Sequence, residues 1–466
     1  MPWRALGLAL SALVAFTWIL HAQLQRLYGL AAPVWDLGQS QQLVWSLASG
    51  HGWSSSYEYG KNFLGIHLEL VFLPIAGVEL LWSNPSVLLV FSAIGLAATA
   101  PAAYLMLRAI LPDQPNARWL ALALAVPMPF WAATQEAARD QFHPENLALA
   151  LAMFAGWAGL AQRRWLFWAL VVAVLCCKED QTYTAFVIGL LVWRFGVPAM
   201  KTQGKMVMVF AAAWLVLGSG VQQLFRGGSP SPAAMYYWWI WLEPNHNFFI
   251  TAVSRPDPWV AMAGLFVSLL GLPFLAPRWL LLAVPALAVN LLSSHDPQER
   301  FQLHYILLIM FPLIVAAGVG ARRLLEQRKL SAWLPAPTLL AGAAPALVIA
   351  IALGRLPPAL GADQWLYSQP DAAGHLLAAT AVLPPGAPLY ADDGAAVWLS
   401  DRTRIGILYE KENLQPDRYI VIDRKAWTHR GDPSANRIDA AAILLASGRR
   451  LLADDGRFEV WSPAGG

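Results

Sequence analysis

Ionisable side chains are scarce in this 466-residue chain, and before the tail they gather where apolar runs end. Asp36 follows the first such run. Asp140, His143 and Glu145 lie close together, and Lys178, Glu179 and Asp180 are contiguous. Glu243 and His246 form a fourth group, and the segment from His295 to Arg300 a fifth. Charge at membrane depth is costly, so it marks a functional site or a water-filled cavity. The residue types define the chemistry open to them. A carboxylate such as Asp36 can act as a general base or face a metal. Asp140, His143 and Glu145 offer carboxylate oxygens and an imidazole, ordinary ligands for a divalent cation such as Mg or Mn. Lys178 can meet a phosphate as a point charge, and Arg300 can grip one through its planar fork.

Each group also has a plainer reading. Asp36 can cap an interfacial helix beginning near Gly38. Pro144 suits the first position of a helix, which would make Asp140 or His143 a cap. Lys178–Asp180 can be a self-neutralising structural knot, although a plain turn would use Gly, Asn or Pro. Arg300 has Asp296 and Glu299 as ready partners on a solvated loop. His67 and Glu69 sit in an interfacial piece, and His304 and Tyr305 flank a later span. The run Tyr236–Trp241 fits an interfacial aromatic belt. Trp35, Trp53 and Tyr57 can stack on sugar rings or anchor the chain at the interface. Asp392–Asp393 and Asp454–Asp455 read as turn acids. Cys176 and Cys177, the two cysteines, are adjacent in an apolar run and read as packing residues. The sequence contains no Walker-type phosphate loop, dinucleotide fingerprint, serine elbow or zinc-protease helix.

These groups must be positioned by membrane helices. The chain is 57% apolar and 13% charged, against about 25% charged in soluble chains. A net charge of +3, with no basic cluster among aromatics, argues against nucleic acid as a partner. A crossing needs about 20 apolar residues. That rule predicts about eleven spans, near 5–27, 86–111, 117–134, 146–162, 165–178, 181–196, 205–225, 258–276, 278–294, 303–321 and 335–354. The first reads as an uncleaved span rather than a signal peptide. Placing the N-terminus in the cytoplasm puts Arg108, Arg118, Arg163, Arg164, Arg194, Arg322 and Arg323 inside and all five charged groups outside. The expected organisation is a transmembrane domain over 1–354, including a first external loop over 28–85 with interfacial helices, and a soluble α/β domain over 355–466. In that tail, strands are expected at Pro388–Ala391, Ile405–Tyr409, Tyr419–Asp423 and Phe458–Trp461, and helices at Asp371–Leu383 and Ala435–Ser447.

The residues Asp36, Gly38 and Gln42, then Gly65–His67, Phe142–Pro144, Lys178–Asp180 and His304–Tyr305, resemble a bacterial and archaeal membrane family, domain of unknown function 2079. That family is similar in layout to the GT-C glycosyltransferases, which take sugars from polyprenyl-phosphate carriers at the outer face. The resemblance implies a GT-C-like fold in the plasma (inner) membrane and a lipid-linked sugar donor. The acceptor, a glycan, lipid or protein, is left open. It makes Asp36 the counterpart of the first-loop base, with Glu179 and Asp180 as further catalytic carboxylates. His67, Lys178, Arg300, His304 and Tyr305 would bind substrate, and Asp140, His143 and Glu145 would hold a cation. The adjacent acidic pair common in the second loop of such enzymes is absent. A transporter or lipid-handling protein is the rival reading, and a non-catalytic scaffold the next. A transporter predicts matched halves with charges at the midplane, whereas here the charges gather at one rim and no repeat is seen.

Overall fold

The structure, a computed structural model, describes residues 2–58, 60–242, 247–327, 343–368, 371–408, 414–426 and 444–465. Glu243, His246, Tyr409, most of the helix expected over Ala435–Ser447 and the start of the last span lie outside the described residues. The chain forms two compact units. The first takes residues 1–20, 66–71 and 91–362, and the second 21–65, 72–90 and 363–466.

The first unit is a helical bundle built around Leu307–Glu326. Ile309, Met310, Leu313, Ile314, Val315, Ala316 and Ala317 on this helix have no exposed surface. A helix apolar on every side belongs inside a bundle. Small residues let backbones approach closely there. A Cβ on Gly320 would lie 2.0 Å from the Leu272 carbonyl oxygen, and one on Gly95 would lie 2.3 Å from that of Asn146. Pro198–Phe225 is the opposite case. At 28 residues it is about 42 Å long, and it leaves Val209, Val216, Leu217 and Leu224 exposed. Such an apolar surface suits lipid, since a helix satisfies its own backbone.

Among the described residues, four helices are long and apolar enough to cross a membrane: Ala5–Tyr28, Ser86–Ile110, Pro198–Phe225 and Asp296–Glu326. Several other expected spans are shorter or interrupted. The one expected over 117–134 becomes Pro115–Ala125, a 3-10 turn at Met128–Phe130 and the short helix Ala132–Arg139. Pro127 and Pro129 lack the N–H donors that a continuous helix would need. Gly271, at φ +64, and Pro273 and Pro277 break the stretch over 258–294 in the same way.

The second unit contains a five-stranded sheet in the order β2-β1-β3-β5-β4. Its strands are β1 (Leu389–Ala391), β2 (Ile405–Ile407), β3 (Tyr419–Asp423), β4 (Leu451–Asp454) and β5 (Phe458–Trp461). β1 pairs in parallel with β2 and β3, which requires a crossover, and the helix Asp393–Trp398 supplies the one between β1 and β2. β3 runs antiparallel to β5, with Val421 opposite Val460. Its β-branched residues suit a central, buried strand. The edge strand β4 is short and mostly exposed, so its sequence carries little strand signal. Asp455 takes the turn role expected of it: its carboxylate accepts the N–H groups of Arg457 and Phe458 between β4 and β5.

Candidate functional site

The first unit gathers most of the singled-out charges into one cluster, buried at Asp140, Glu145, Lys178 and His304 and half-buried at His67, His143, Glu179 and Asp180. Asp140 ends the helix Ala132–Arg139, and Glu145 opens the helix Glu145–Leu160. Between them Gln141 adopts φ +69, a left-handed conformation that costs a non-glycine residue energy. The turn is pinned by Asn146 and Ser92, whose side chains both donate to the Gln141 carbonyl, at 2.7 and 2.9 Å. The result aims Asp140 at two imidazoles. Its Oδ2 lies 2.5 Å from His304 Nδ1 and 2.9 Å from His143 Nε2. The two rings stack with centroids 3.6 Å apart. His304 reaches this place because Phe301 and Leu303 both take positive φ just before the central helix. Burial alone would raise the Asp140 pKa, but His143 and His304 outweigh it and hold the carboxyl well below its ordinary value.

The Lys178–Asp180 triplet closes the other side of the cluster. It joins the helices Arg164–Cys177 and Gln181–Phe195 with almost no loop. Lys178 Nζ pairs with Glu145 Oε1 at 2.6 Å, and Glu145 Oε1 lies 3.7 Å from His304 Nε2. Glu179 binds His67 Nδ1 at 2.9 Å and accepts the Leu68 N–H at 3.0 Å. This holds the 66–71 segment in place, helped by the Val71 N–H bonded to the Cys176 carbonyl. Burial would raise the Glu179 pKa, yet His67 and Lys178 bring it down to about 2. Asp180 and Glu69 have weaker support. Burial pushes each of them up to about 7, against the pull of Lys178 on both.

The remaining expected site residues lie beside the cluster or away from it. Tyr305 packs its ring on His304, centroids 4.1 Å apart. Arg300 sits in an open ion-pair network with Asp296 and Asp257. It also lines a cavity of about 280 Å³ together with Glu136, Asp257 and Arg355. Asp36 belongs to the second unit. It is half-buried in the single turn Val34–Gly38, which leads into Gln39–Ala48. Gly38 holds the N-cap position of that helix, so the capping role considered for Asp36 is not realised. The Val34 N–H donates to Asp393 Oδ1 and fixes this turn.

The cluster suits a cation. Asp140, His143 and His304 each offer one ligand atom, and these atoms lie within 4.8 Å of one another. One carboxylate and two imidazoles suit a first-row transition metal better than Mg, because imidazole nitrogen favours such ions. Glu145 borders this triad but is engaged by Lys178.

The chain matches, over residues 26–445, the family described as predicted membrane protein DUF2079. The chain belongs to that family. No curated protein sequence matches it significantly. Its fold is similar to that of solved membrane-protein structures. One is ArnT from Cupriavidus metallidurans bound to undecaprenyl phosphate, at TM-score 0.54 and 13% identity, covering 100% of this chain and 98% of that one. The apo form of the same protein gives 0.51 at 13% identity, covering 99% and 97%. Archaeal oligosaccharyltransferase AglB from Archaeoglobus fulgidus, in complex with an inhibitory peptide and a dolichol-phosphate, gives 0.42 at 12% identity, covering 99% and 74%.

Two residues of this DUF2079 member were not singled out from sequence. Glu136 lies one helical turn before Asp140 and pairs with Arg355 at 2.6 Å and Arg139 at 3.1 Å. The i, i+4 spacing of Glu136 and Asp140 was the available signal. Arg355 follows the last apolar run, and nothing local marks its partner.

Proposed function

We propose that this DUF2079 protein transfers a sugar from a polyprenyl-phosphate donor to an acceptor hydroxyl at the extracytoplasmic face of the plasma membrane. The transmembrane part would be a GT-C-like bundle of about eleven spans over 1–354, with 355–466 as the extracytoplasmic domain. The observation that carries this reading is a buried, mutually paired set of charges inside a fold similar, along its full length, to that of a protein solved with undecaprenyl phosphate. An apolar bundle has no structural need for such a set, since burying charge costs more than burying apolar side chains.

In this reading Asp36 takes the proton of the acceptor hydroxyl as its oxygen attacks the anomeric carbon. The bond from that carbon to the lipid phosphate breaks, and the phosphate leaves with the electron pair. Lys178 and Arg300 supply positive charge for that phosphate. His67, His304 and Tyr305 line the donor, and Glu179 and Asp180 serve as further carboxylates for proton transfer. Asp140, His143 and His304, bordered by Glu145, would hold a divalent cation. When bound, it would neutralise charge developing on the leaving group.

The test is turnover of a polyprenyl-phosphate sugar by purified protein in lipid, with and without EDTA. Turnover should fall by a factor of about 100 or more in Asp36→Asn and Asp140→Asn. Full turnover by Asp36→Asn would remove Asp36 as base, and turnover indifferent to chelation would remove the cation.

A further inference from the structure

The second unit holds an oxygen-lined pocket that the proposed reaction does not use. Gln41, on the helix Gln39–Ala48, is completely buried, and Glu79, the last residue of the helix Phe72–Glu79, is 3% exposed. Asp401 joins them from the loop after Asp393–Trp398, and Ser83 closes the group from its exposed side. Gln41 Nε2 donates to Glu79 Oε1 at 2.8 Å and to Asp401 Oδ1 at 3.0 Å. Ser83 Oγ lies 2.7 Å from Glu79 Oε1 and 2.8 Å from Asp401 Oδ2.

Two features of this ring do not balance. The Ser83 hydroxyl carries one proton but faces two carboxylate oxygens at bonding distance. One of those close oxygen pairs therefore has no hydrogen between them if both acids are ionised. The second concerns Gln41. With its amide nitrogen turned toward the acids, its Oε1 is buried and accepts no hydrogen bond from any described residue; Glu79 Oε2 is buried too, with the Asn84 N–H close enough to the carboxyl to favour its charged form but no well-formed hydrogen bond on that oxygen. With the amide turned over, Gln41 Oε1 would meet two carboxylates, acceptor against acceptor. Among the described residues, neither carboxylate has an ion pair with Lys, Arg or His. Buried unsatisfied oxygens call for a partner, and a bound ion is one such partner.

We infer that Gln41, Glu79, Ser83 and Asp401 form a site for a hard divalent cation, Ca²⁺. A cation between the acids supplies the positive charge that Gln41 Nε2 now approximates. It lets the amide turn its carbonyl inward and removes the need for a second proton at Ser83. The donors are all oxygen: two carboxylates able to bind through one or both atoms, an amide carbonyl and a hydroxyl. That set suits Ca²⁺, which takes six to eight oxygens in adaptable geometry. Bound there, the ion fastens three segments far apart in sequence: the first helix after Asp36, the end of Phe72–Glu79 and the first loop of the sheet domain. It is independent of glycosyl transfer, and of the Asp140 triad, whose two imidazoles suit a softer metal.

The experiment is equilibrium binding of ⁴⁵Ca²⁺ to the full-length protein in detergent, with thermal unfolding measured in Ca²⁺ and in EGTA. One Ca²⁺ should bind, and Ca²⁺ should raise the unfolding temperature. Glu79→Gln and Asp401→Asn should each weaken that binding by about tenfold or more and abolish the thermal shift. Asp140→Asn should leave both intact. Ser83→Ala, on the exposed side, serves if the buried variants fail to fold, and should weaken binding measurably. Equal Ca²⁺ binding by wild type and all three pocket variants would overturn the site. So would the absence of any thermal shift in wild type, which would leave a protonated carboxyl to balance the ring.

Discussion

At the scale of single residues, the cluster separates carboxyls that are held ionised from carboxyls that are not. Glu179 accepts two hydrogen bonds and faces His67, so it stays charged. Glu145 is paired so closely with Lys178 that removing either partner would leave a buried charge uncompensated, at a cost of about 3–5 kcal/mol. Glu69 and Asp180 are the exceptions. Burial lifts them from ordinary values of 4.5 and 3.8 to about 7. Their raised values stabilise the fold fully below the unfolded pKa, near 4, and that contribution is lost as pH rises through about 7. Glu179 acts in the opposite sense, but its contribution is lost only as pH falls from about 4.5 toward 2. Between about pH 5 and about pH 7, Glu69 and Asp180 therefore pull stability down as pH rises, with the raised His67 acting alongside them and the buried His295, held low, acting against. The thermal midpoint of the purified protein should fall as pH rises across that window. Glu69→Gln and Asp180→Asn should each flatten the slope. A slope unchanged in both variants would show that neither group titrates there.

At the scale of elements, the site depends on strained turns between closely packed helices, and this explains what the sequence revealed. The membership of the cluster was legible because Asp140, His143, Glu145 and Lys178 are the polar residues where apolar runs end. The pairing was not. Nothing local says that His304 meets Asp140, because that contact depends on positive φ at Gln141, Phe301 and Leu303, none of which is glycine. All four expected strands begin within a residue of the observed ones, because β-branched and aromatic runs stand out in a polar tail. Exposed β4 was missed, and proline-broken spans were read as continuous. The close packing also predicts a sensitivity. Gly320 faces the Leu272 carbonyl so closely that any side chain forces the central helix away from its neighbour. Gly320→Val should destabilise the folded protein by about 3 kcal/mol or more. Gly7, with nothing within 4 Å of its Cβ position, should accept Ala with little change. Comparing the unfolding midpoints of Gly320→Val and Gly7→Ala checks this. Equal midpoints would mean that the bundle relaxes around the added bulk.

At the scale of the whole molecule, the decisive quantity is which side of the membrane each polar segment faces. The chain is a membrane protein by family and by the apolar surface of helices such as Pro198–Phe225. Its basic residues are unevenly distributed: Arg163 and Arg164, then Arg194, Lys201 and Lys205, then Arg322 and Arg323 recur at alternate span ends. Such residues are retained in the cytoplasm. The Asp140 turn and the Lys178 triplet fall at the other ends of those helices, and the cluster they form is a single buried unit. These two segments must then share a side. Glycosyl transfer from a lipid carrier at the outer face further requires Asp36 on that same side, and an odd number of spans would put the tail there too. Alkaline phosphatase fused after Asp36, Asp180 or Asp371 should be active, because the enzyme matures only outside the cytoplasm. Fusions after Arg164 or Arg323 should be inactive there and fluorescent with a green fluorescent protein reporter instead. If the Asp180 fusion reports outside while the Asp36 fusion reports inside, Asp36 cannot act as base for a donor held by Lys178. The buried cluster would then need another role, such as passing protons or ions between the faces, for which clustered buried carboxyls and imidazoles are equally suited.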